Sequence, residues 1–255
     1  MVIIVLELVN VKKYYKDNKA VDGISFRVEN GEVLGLIGAN GAGKSTTISM
    51  IATLNKPDSG NIYYEGQDIV KYPWFMRSNL GYVPQDNALY PSLSGRDNLK
   101  FWGRANHVRG KRLKRRLEDV SETIQITGKV LDRKVNSYSG GMKRRLNIGA
   151  ALLHEPKLII MDEPTVGLDV ESRNQILSAV LRLKEQGASI IYAGHYMEEM
   201  ERICDKICVI DRGRCVLFGE VKELLKDNKR LEQLYLECTG GRQPYEGRPA
   251  DDSHS

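Results

Sequence analysis

The residues best suited to do chemistry form a glycine-rich segment that ends in a lysine and a serine. Residues 38–45 read Gly-Ala-Asn-Gly-Ala-Gly-Lys-Ser, which fits the phosphate-loop pattern GxxxxGK(S/T) in full. Glycines let the backbone wrap closely around phosphates, and N–H groups at the start of a following helix donate hydrogen bonds to them. In this pattern Lys44 neutralises β- and γ-phosphate charge, and the Ser45 hydroxyl binds Mg²⁺. The segment therefore predicts a phosphate site.

Two carboxylates and a histidine stand in comparable places after apolar runs. Asp162 and Glu163 follow the run 158–161, and His195 follows the run 190–193 after one glycine. A carboxylate at a strand end opposite a phosphate loop can hold Mg²⁺ directly or through its waters. A second carboxylate beside it can polarise a water for in-line attack on the γ-phosphorus. Taken alone, the acids could be solvated loop residues and the histidine structural, but the phosphate loop favours one shared site.

A second glycine-rich turn poses a puzzle. Residues 139–141 read Ser-Gly-Gly and run into Met142 and a basic stretch, 143–145. A helix that starts there would present bare backbone N–H groups, which is an anion site. Since the chain already holds a complete phosphate loop, two phosphate-facing elements for one nucleotide suggest a site assembled from two halves.

The elements that must position these residues are strands of a mostly parallel sheet. The runs 33–37, 158–161 and 190–193 are continuous and apolar, as in strands that are buried on both faces. Each run leads into residues that could bind phosphate or take part in catalysis. Because ligands of such sheets bind beyond the carboxyl ends of the strands, we expect these candidate residues to share one sheet edge.

Helical patterns lie between these strands. We expect a helix over 44–54, stopping before Pro57, and another over 170–186 with Asp169 as its N-cap. Residues from about 87 to 155 are rich in helical pattern and poor in strand pattern. They predict an inserted helical subdomain.

The expected helical subdomain carries a dense basic run. Six of the eight residues 109–116 are Arg or Lys. This pattern is typical of a solvated helix face. It would also fit a surface that faces anionic lipid or an acidic partner.

Length and composition are those of one globular domain with an insertion. The chain has 255 residues, 41% hydrophobic and 28% charged, and a net charge of +5. That mild charge does not demand nucleic acid, and aromatic and basic residues do not alternate as in single-strand binders. No apolar segment approaches a membrane span, and the run 1–6 lacks the features of a signal peptide. We therefore expect a cytoplasmic chain with four reduced cysteines and, from about residue 239, a disordered tail.

Six motifs in this order resemble the ATP-binding cassette (ABC) ATPase family over roughly residues 7–225. They are the Walker A loop GANGAGKST, Gln85 in YVPQ, the signature YSGGM, the Walker B segment LIIMDE, the D-loop Asp169 in GLD, and the switch His195. Within the family the chain looks like the nucleotide-binding subunit of the drug- and polysaccharide-export branch, because of YSGGMKRRL, EPTVGLD and HYMEEME. The resemblance implies an α/β P-loop NTPase fold with a mostly parallel sheet, an antiparallel β edge and an inserted α-helical subdomain. The implied ATPase domain covers 1–228, and 229–255 is a tail.

The resemblance also assigns a role to each matched position. Tyr15 would stack on adenine, with its neighbour Tyr14 as the other candidate; the alternative role of Tyr15 is packing or interface area. Glu163 would be the general base, and His195 would contact the γ-phosphate. Gln85 would touch Mg²⁺ and relay to a membrane partner, unless it is a solvated loop amide. The residues implied to bind ATP are Tyr15, Gly38, Ala39, Asn40, Gly41, Ala42, Gly43, Lys44, Ser45, Thr46 and Gln85. The implied Mg²⁺ ligands are Ser45, Gln85 and Asp162, and the implied catalytic residues are Lys44, Glu163 and His195.

The resemblance gives the second turn a partner on another chain. Ser139, Gly140 and Gly141 would bind the γ-phosphate of the ATP held by the opposite subunit. Because the catalytic and signature residues are all intact, this implies a homodimer with two identical sites. Three positions depart from the family pattern: Lys16 and Gly194 replace a usual glycine and threonine, and Ala39 replaces a common proline.

The resulting prediction is an ATP-hydrolysing subunit that dimerises head-to-tail and drives export through a separate membrane permease, at the cytoplasmic face of the membrane. Two other interpretations stay open. A soluble ABC ATPase acting on DNA or ribosomes would usually carry two cassettes or a long coiled coil, and no heptad run lies between Lys44 and Ser139. A regulatory nucleotide binder that does not hydrolyse ATP is disfavoured by the intact Glu163.

Overall fold

The computed structural model describes residues 3–16, 18–226 and 229–241. Its central sheet has six strands: β3 (Val33–Ile37), β6 (Leu80–Val83), β7 (Leu158–Asp162), β8 (Ser189–Gly194), β9 (Lys206–Asp211) and β10 (Arg214–Glu220). Their spatial order is β10, β9, β3, β8, β7, β6. All neighbours are parallel except β10, which is antiparallel to β9. Every residue of β3, β7 and β8 is buried, which explains why these strands are continuous apolar runs in the sequence.

A second, antiparallel sheet has four strands in the spatial order β2, β1, β4, β5. They are β1 (Ile4–Tyr15), β2 (Asn18–Glu29), β4 (Ser59–Tyr64) and β5 (Gln67–Asp68). The antiparallel region that the family resemblance implied is therefore a separate sheet, and β10 forms an additional antiparallel edge of the central sheet.

Ten α-helices are present in the described residues. They are α1 (Lys44–Ile51), α2 (Pro73–Asn79), α3 (Gly95–Ala105), α4 (Gly110–Thr123), α5 (Gly128–Leu131), α6 (Gly140–Leu152), α7 (Val170–Glu185), α8 (Met197–Ile203), α9 (Val221–Leu224) and α10 (Leu231–Thr239). A short 3₁₀ turn covers Val135–Ser137. Between residues 87 and 155 all named elements are helical, as the sequence predicts, while the division into domains stays a prediction.

The core has two parts, one on each face of the central sheet. Ile159 and Met161 of β7 face a cluster that includes the buried residues of α3, α4, α6 and α7. Leu158 and Ile160 of the same strand face a second cluster, which holds α1 and the four-stranded sheet. The helical segment thus shares a core with the sheet that carries the catalytic candidates. Because successive side chains of β7 point to opposite faces of the sheet, this one strand packs against both layers and connects them to the site at its end.

Two predicted helix ends differ from the structure, one by three residues and the other by a single residue. The helix expected over 44–54 ends at Ile51, because Thr53 adopts a left-handed φ of 57°. Arg77 fixes that conformation by donating hydrogen bonds to both the hydroxyl and the carbonyl of Thr53. The helix expected over 170–186 is confirmed to within one residue as α7, with Asp169 as its N-cap.

Part of the predicted tail is ordered. Helix α10 buries Leu231 and Tyr235 completely, and its Leu231 N–H donates to Glu201 of α8 at 2.8 Å. The expected disorder concerns residues from about 239, and of these 242–255 lie outside the described residues. Among the described helices, none combines the length and the apolar character needed to cross a bilayer.

Candidate functional site

The carboxyl ends of four adjacent strands bring the candidate residues to one sheet edge. In the strand register Ile37 pairs with Gly194, Asp162 with Ala193, and Val83 with Met161. The phosphate loop follows β3, Glu163 follows β7, His195 follows β8, and Gln85 comes shortly after β6. The prediction of a shared edge is confirmed, and it places four side chains around one point.

The phosphate loop depends on glycine at two positions for packing. A Cβ on Gly38 would lie 2.5 Å from the carbonyl oxygen of Ile210, and one on Gly43 would lie 2.4 Å from that of Ala20. Gly43 also has a φ of 112°, which disfavours any L side chain. Helix α1 starts directly after Gly43, and in the described chain no side chain caps it. Its first N–H groups and its dipole are therefore directed at the loop, where an anion would bind.

Lys44 is held inside the loop. Its side chain is 5% exposed, and Nζ donates to the carbonyl oxygen of Gly38 at 2.7 Å and to that of Ala39 at 3.3 Å. Nζ also lies 3.8 Å from Oε1 of Glu163. Burial lowers the pKa of this ammonium, and the nearby carboxylates of Glu163 and Asp162 oppose that shift. The loop thus holds one desolvated positive charge, whose nearest carboxylate oxygen is 3.8 Å away. This arrangement suits the ammonium group to bind phosphate.

Glu163 is the centre of the site. Its Oε1 lies 3.7 Å from Nδ1 of His195, and its Oε2 accepts a hydrogen bond from Nε2 of Gln85 at 3.3 Å. His195 and then Lys44 lower the pKa of Glu163, so the carboxylate is ionised and can accept a proton. The residue has a left-handed φ of 47°, and its N–H donates to Ala193 of the neighbouring strand at 3.0 Å. The backbone turn is what directs this carboxylate to the middle of the edge.

The donor set proposed for a divalent cation fits Mg²⁺ by its chemistry. Asp162 supplies a carboxylate, Gln85 an amide oxygen and Ser45 an exposed hydroxyl, all hard oxygen ligands of the kind that Mg²⁺ prefers. Asp162 is buried, and desolvation together with the negative charge of Glu163 raises its pKa. A cation at this position would offset that unfavourable burial. The set remains a prediction.

The Ser-Gly-Gly turn begins a helix, as the sequence predicts. Ser139 is the N-cap of α6, and its hydroxyl accepts the N–H of Met142 at 3.2 Å. No acidic residue lies in the first turn, so the positive end of the helix dipole is not neutralised there. Among the hydrogen bonds and ion pairs of the described residues, none joins this turn to the phosphate loop. Its role toward the nucleotide of an opposite subunit stays a prediction.

Asp169 acts as a helix cap. Its carboxylate accepts the N–H and the hydroxyl of Ser172, each at 2.8 Å, and these bonds lower its pKa. Since the residue is exposed, a further contact across a subunit interface is compatible with capping. Capping therefore does not exclude the D-loop role of Asp169, which stays a prediction.

Tyr14 and Tyr15, the two candidates for stacking on adenine, differ in their contacts. Tyr14 donates its hydroxyl to Asp22 at 2.9 Å, so its ring is tied back to the sheet. Tyr15 is 45% exposed, and Nζ of Lys13 lies 5.5 Å from the centroid of its ring. Lys16, which stands where the family usually has glycine, takes a left-handed φ of 53°. The turn is therefore formed with lysine, and the exposed ring of Tyr15 is compatible with stacking.

The unusual Gly194 also has a local reason. A Cβ at this position would lie 3.0 Å from the terminal methyl group of Met200 and 3.5 Å from the ring of Tyr192. A threonine would require Met200 to move. The glycine thus fits the large neighbours that this chain has beneath the histidine.

The basic run divides between two sides of α4. Arg112 and Arg116 lie within 4 Å of Glu155, at 2.7 and 3.8 Å, whereas Arg115, whose side chain is 80% exposed, lies 3.7 Å from Asp119 one turn along the helix. Paired and solvated cations of this kind fit the interpretation as a solvated helix face, and the alternative of a surface for anionic lipid or an acidic partner stays untested.

All four cysteines are free, as predicted, with Sγ of Cys208 and Cys215 3.3 Å apart.

Sequence patterns missed several buried polar residues around the site. Arg144, which reads as part of a basic surface stretch, is 7% exposed and donates to the carbonyl oxygen of Pro84, next to Gln85, at 3.0 Å. It links helix α6 to the Gln85 loop. Glu199 is 3% exposed and was hidden in the acidic stretch that follows His195. A charged residue at a helical position that otherwise faces the core is the only signal that could have identified either one.

Comparisons with known proteins agree on one family. A family model described as "ABC transporter" matches residues 21–166. The linearmycin resistance ATP-binding protein of Bacillus subtilis is 49% identical over 219 residues, which are 86% of this chain and 70% of that protein. The daunorubicin resistance ATP-binding protein of Streptomyces coeruleorubidus is 38% identical, over 84% of this chain and 67% of that protein. A solved ATP-binding subunit of an ABC transporter superposes with a TM-score of 0.82 at 30% identity, covering 92% of this chain and 99% of that one.

Proposed function

This chain belongs to the ABC transporter family, and we propose that it is the ATP-hydrolysing subunit of an exporter, acting through a separate membrane permease. One observation carries the proposal: Lys44, Gln85 and His195 all lie within 4 Å of the carboxylate of Glu163, at the edge where the phosphate loop ends. A site that only bound nucleotide would not need an ionised carboxylate in that position.

The arrangement supports an in-line attack of water on the γ-phosphate. The loop N–H groups and Lys44 would hold the β- and γ-phosphates, so that catalysis is mainly positioning and charge stabilisation. Glu163 would orient the water and accept its proton, which is typically worth about 10²–10⁴ in rate. His195 would donate a hydrogen bond to a γ-phosphate oxygen. Bound Mg²⁺ would neutralise phosphate charge, and Ser45, Gln85 and Asp162 would hold it.

Each site would be completed by a second copy of the chain. The uncapped start of α1 and the Ser139 turn are both suited to phosphate, yet one nucleotide needs only one phosphate loop. A head-to-tail homodimer would place the turn of one chain over the ATP of the other, twice. Because every catalytic candidate is present in this chain, both sites would be active. ATP would join the subunits, and its hydrolysis would release them.

The names of the relatives support the proposed direction of transport. Two of them are named for resistance to linearmycin and to daunorubicin, which supports export of a small toxic compound. The segment after Gln85 would receive the permease, and the chain would sit peripherally at the cytoplasmic face of the membrane. Cargo selection would belong to the permease.

The proposal is tested with the substitution Glu163→Gln. We expect ATP binding to be unchanged and turnover to fall by at least about 100-fold, because the amide cannot accept the proton of the attacking water. ATP should then hold the variant as a dimer. Nucleotide titration, phosphate release and gel filtration with ATP measure these three effects. Glu122→Gln, at an exposed position of α4, is the matched control. Hydrolysis by Glu163→Gln near the parent rate would refute the base assignment.

A further inference from the structure

A buried carboxylate that lies outside the nucleotide site contacts three of the elements that carry that site. Glu199 of α8 is 3% exposed. Its Oε2 accepts the hydroxyl of Thr165 at 2.8 Å and that of Tyr192 at 2.6 Å. Its Oε1 lies 3.3 Å from Nε of Arg173. Thr165 is in the loop after β7, Tyr192 is on β8 and Arg173 is on α7, so one side chain joins four elements.

Stability alone does not account for this cluster. A buried ion pair gains little over well-packed apolar side chains of the same volume, because both charges lose their hydration. Here the pair is also poorly aligned, since neither Nε of Arg173 nor Oε1 of Glu199 makes a hydrogen bond. What directional partners do provide is a fixed relative position of the segments that bear them. The segments joined are those on either side of Glu163 and His195.

Arg173 extends the contact to Tyr196, the residue next to His195. Its guanidinium carbon lies 4.6 Å from the ring centroid of Tyr196, and the ring of Tyr196 is 4.3 Å from the ring of His195. A guanidinium over an aromatic ring is an attractive contact that a lysine or an alkyl chain does not reproduce. The residue that pairs with Glu199 therefore also supports the neighbour of His195 directly.

The same turn of α7 is packed against the signature turn. A Cβ added to Gly141 would lie 2.2 Å from Oγ and 2.5 Å from Cβ of Ser172, so the side chain of Ser172 packs directly against the backbone of Gly141 and leaves no room for a side chain there. Ser172 precedes Arg173 and is held by the Asp169 cap. A continuous series of contacts thus runs from His195 through Tyr196, Arg173 and Ser172 to Gly141.

We propose that Arg173 and Glu199 are positioning residues that set His195 and the signature turn in one fixed relation. Through them, the γ-phosphate contact at one site would be coupled to the turn that the same chain offers to the opposite site. This inference rests on the proposed function for the roles of His195 and Gly141. It goes further by naming the side chains that join the two sites within one chain.

The experiment compares Arg173→Ala with Arg202→Ala in steady-state hydrolysis over a range of ATP concentrations. Arg202 is the matched control, because it also bridges α8 to α7, donating to Asn174 at 2.6 Å, and it makes none of the contacts described for Arg173. We expect Arg173→Ala to lower kcat at least about tenfold with KM within about threefold, since the phosphate loop is untouched. The Hill coefficient should fall toward one. Arg202→Ala should match the parent in all three values.

A double-substitution cycle separates positioning from general weakening. If Arg173 acts through His195, adding Arg173→Ala to His195→Ala should cost less than about twofold, measured with radiolabelled ATP. Tyr196→Leu, which spares the ion pair, should shift kcat in the same direction as Arg173→Ala and so provides a second variant if Arg173→Ala unfolds. Full additivity with His195→Ala, or a parental kcat and Hill coefficient in both Arg173→Ala and Tyr196→Leu, would overturn the inference. A parent chain without ATPase activity would instead refute the proposed function, and this inference would fall with it.

Discussion

At the residue scale, the site is organised around the charge of Glu163. The imidazole of His195 and the ammonium of Lys44 lie 3.7 and 3.8 Å from one carboxylate oxygen of Glu163, and both lower the pKa of that carboxyl group. Asp162, one residue earlier, has its pKa shifted in the opposite direction by burial. Two adjacent carboxylates with opposed environments are the usual basis for separate roles, and this difference supports the proposed roles of Glu163 as proton acceptor and Asp162 as cation ligand.

The exposed ring of Tyr15 gives a prediction at this scale. If Tyr15 stacks on adenine as proposed, Tyr15→Ala should weaken ATP binding by about 1–3 kcal/mol, the usual contribution of a stacked base. Tyr14→Phe removes only the hydroxyl bond to Asp22 and should bind ATP as the parent does. Titration with a fluorescent ATP analogue measures both. Equal affinity in Tyr15→Ala and the parent would assign the ring to packing or to an interface.

At the element scale, the sheet could be predicted where burial leaves a mark on the sequence. Strands β3, β7 and β8 read as apolar runs because both of their faces are covered, and the caps of α7 follow from ordinary helix-end chemistry. The end of α1 could not be predicted, since it depends on hydrogen bonds from Arg77 in another helix. The buried positions of Arg144 and Glu199 were equally hidden, because tertiary packing decides which members of a charged stretch face inward.

The contact between α6 and α7 gives a prediction at this scale. Gly141→Ala should lower the free energy of unfolding by about 1–3 kcal/mol, the usual cost of overpacking, because its Cβ would overlap Ser172. Adding Ser172→Gly should restore much of the loss. Gly140→Ala is the control, since a Cβ there would meet only Leu168 at 3.6 Å. Denaturant unfolding measures all four proteins. An unchanged midpoint for Gly141→Ala would show that the two helices are not in the close contact described.

At the scale of the whole molecule, the chain presents two helix starts that we propose bind phosphate, those of α1 and α6, and no contact among the described residues joins them. The core explains how each is held: α1 packs on one face of the central sheet, and α6 on the other. Sequence patterns predicted both helix starts and their chemistry. They did not place the second start on another subunit, which came from the family resemblance alone, since no single-chain periodicity encodes which surface faces a second copy.

The most direct test of the shared site is to mix two inactive variants. Lys44→Ala lacks a working phosphate loop and Ser139→Arg lacks a working signature turn, so each alone should be inactive. In a head-to-tail mixed dimer the intact loop of one chain meets the intact turn of the other, and one of the two sites is whole. We predict that a one-to-one mixture recovers up to about a quarter of the parental ATPase rate. A mixture as inactive as its components would contradict the account, because it would mean that each site is built within one chain.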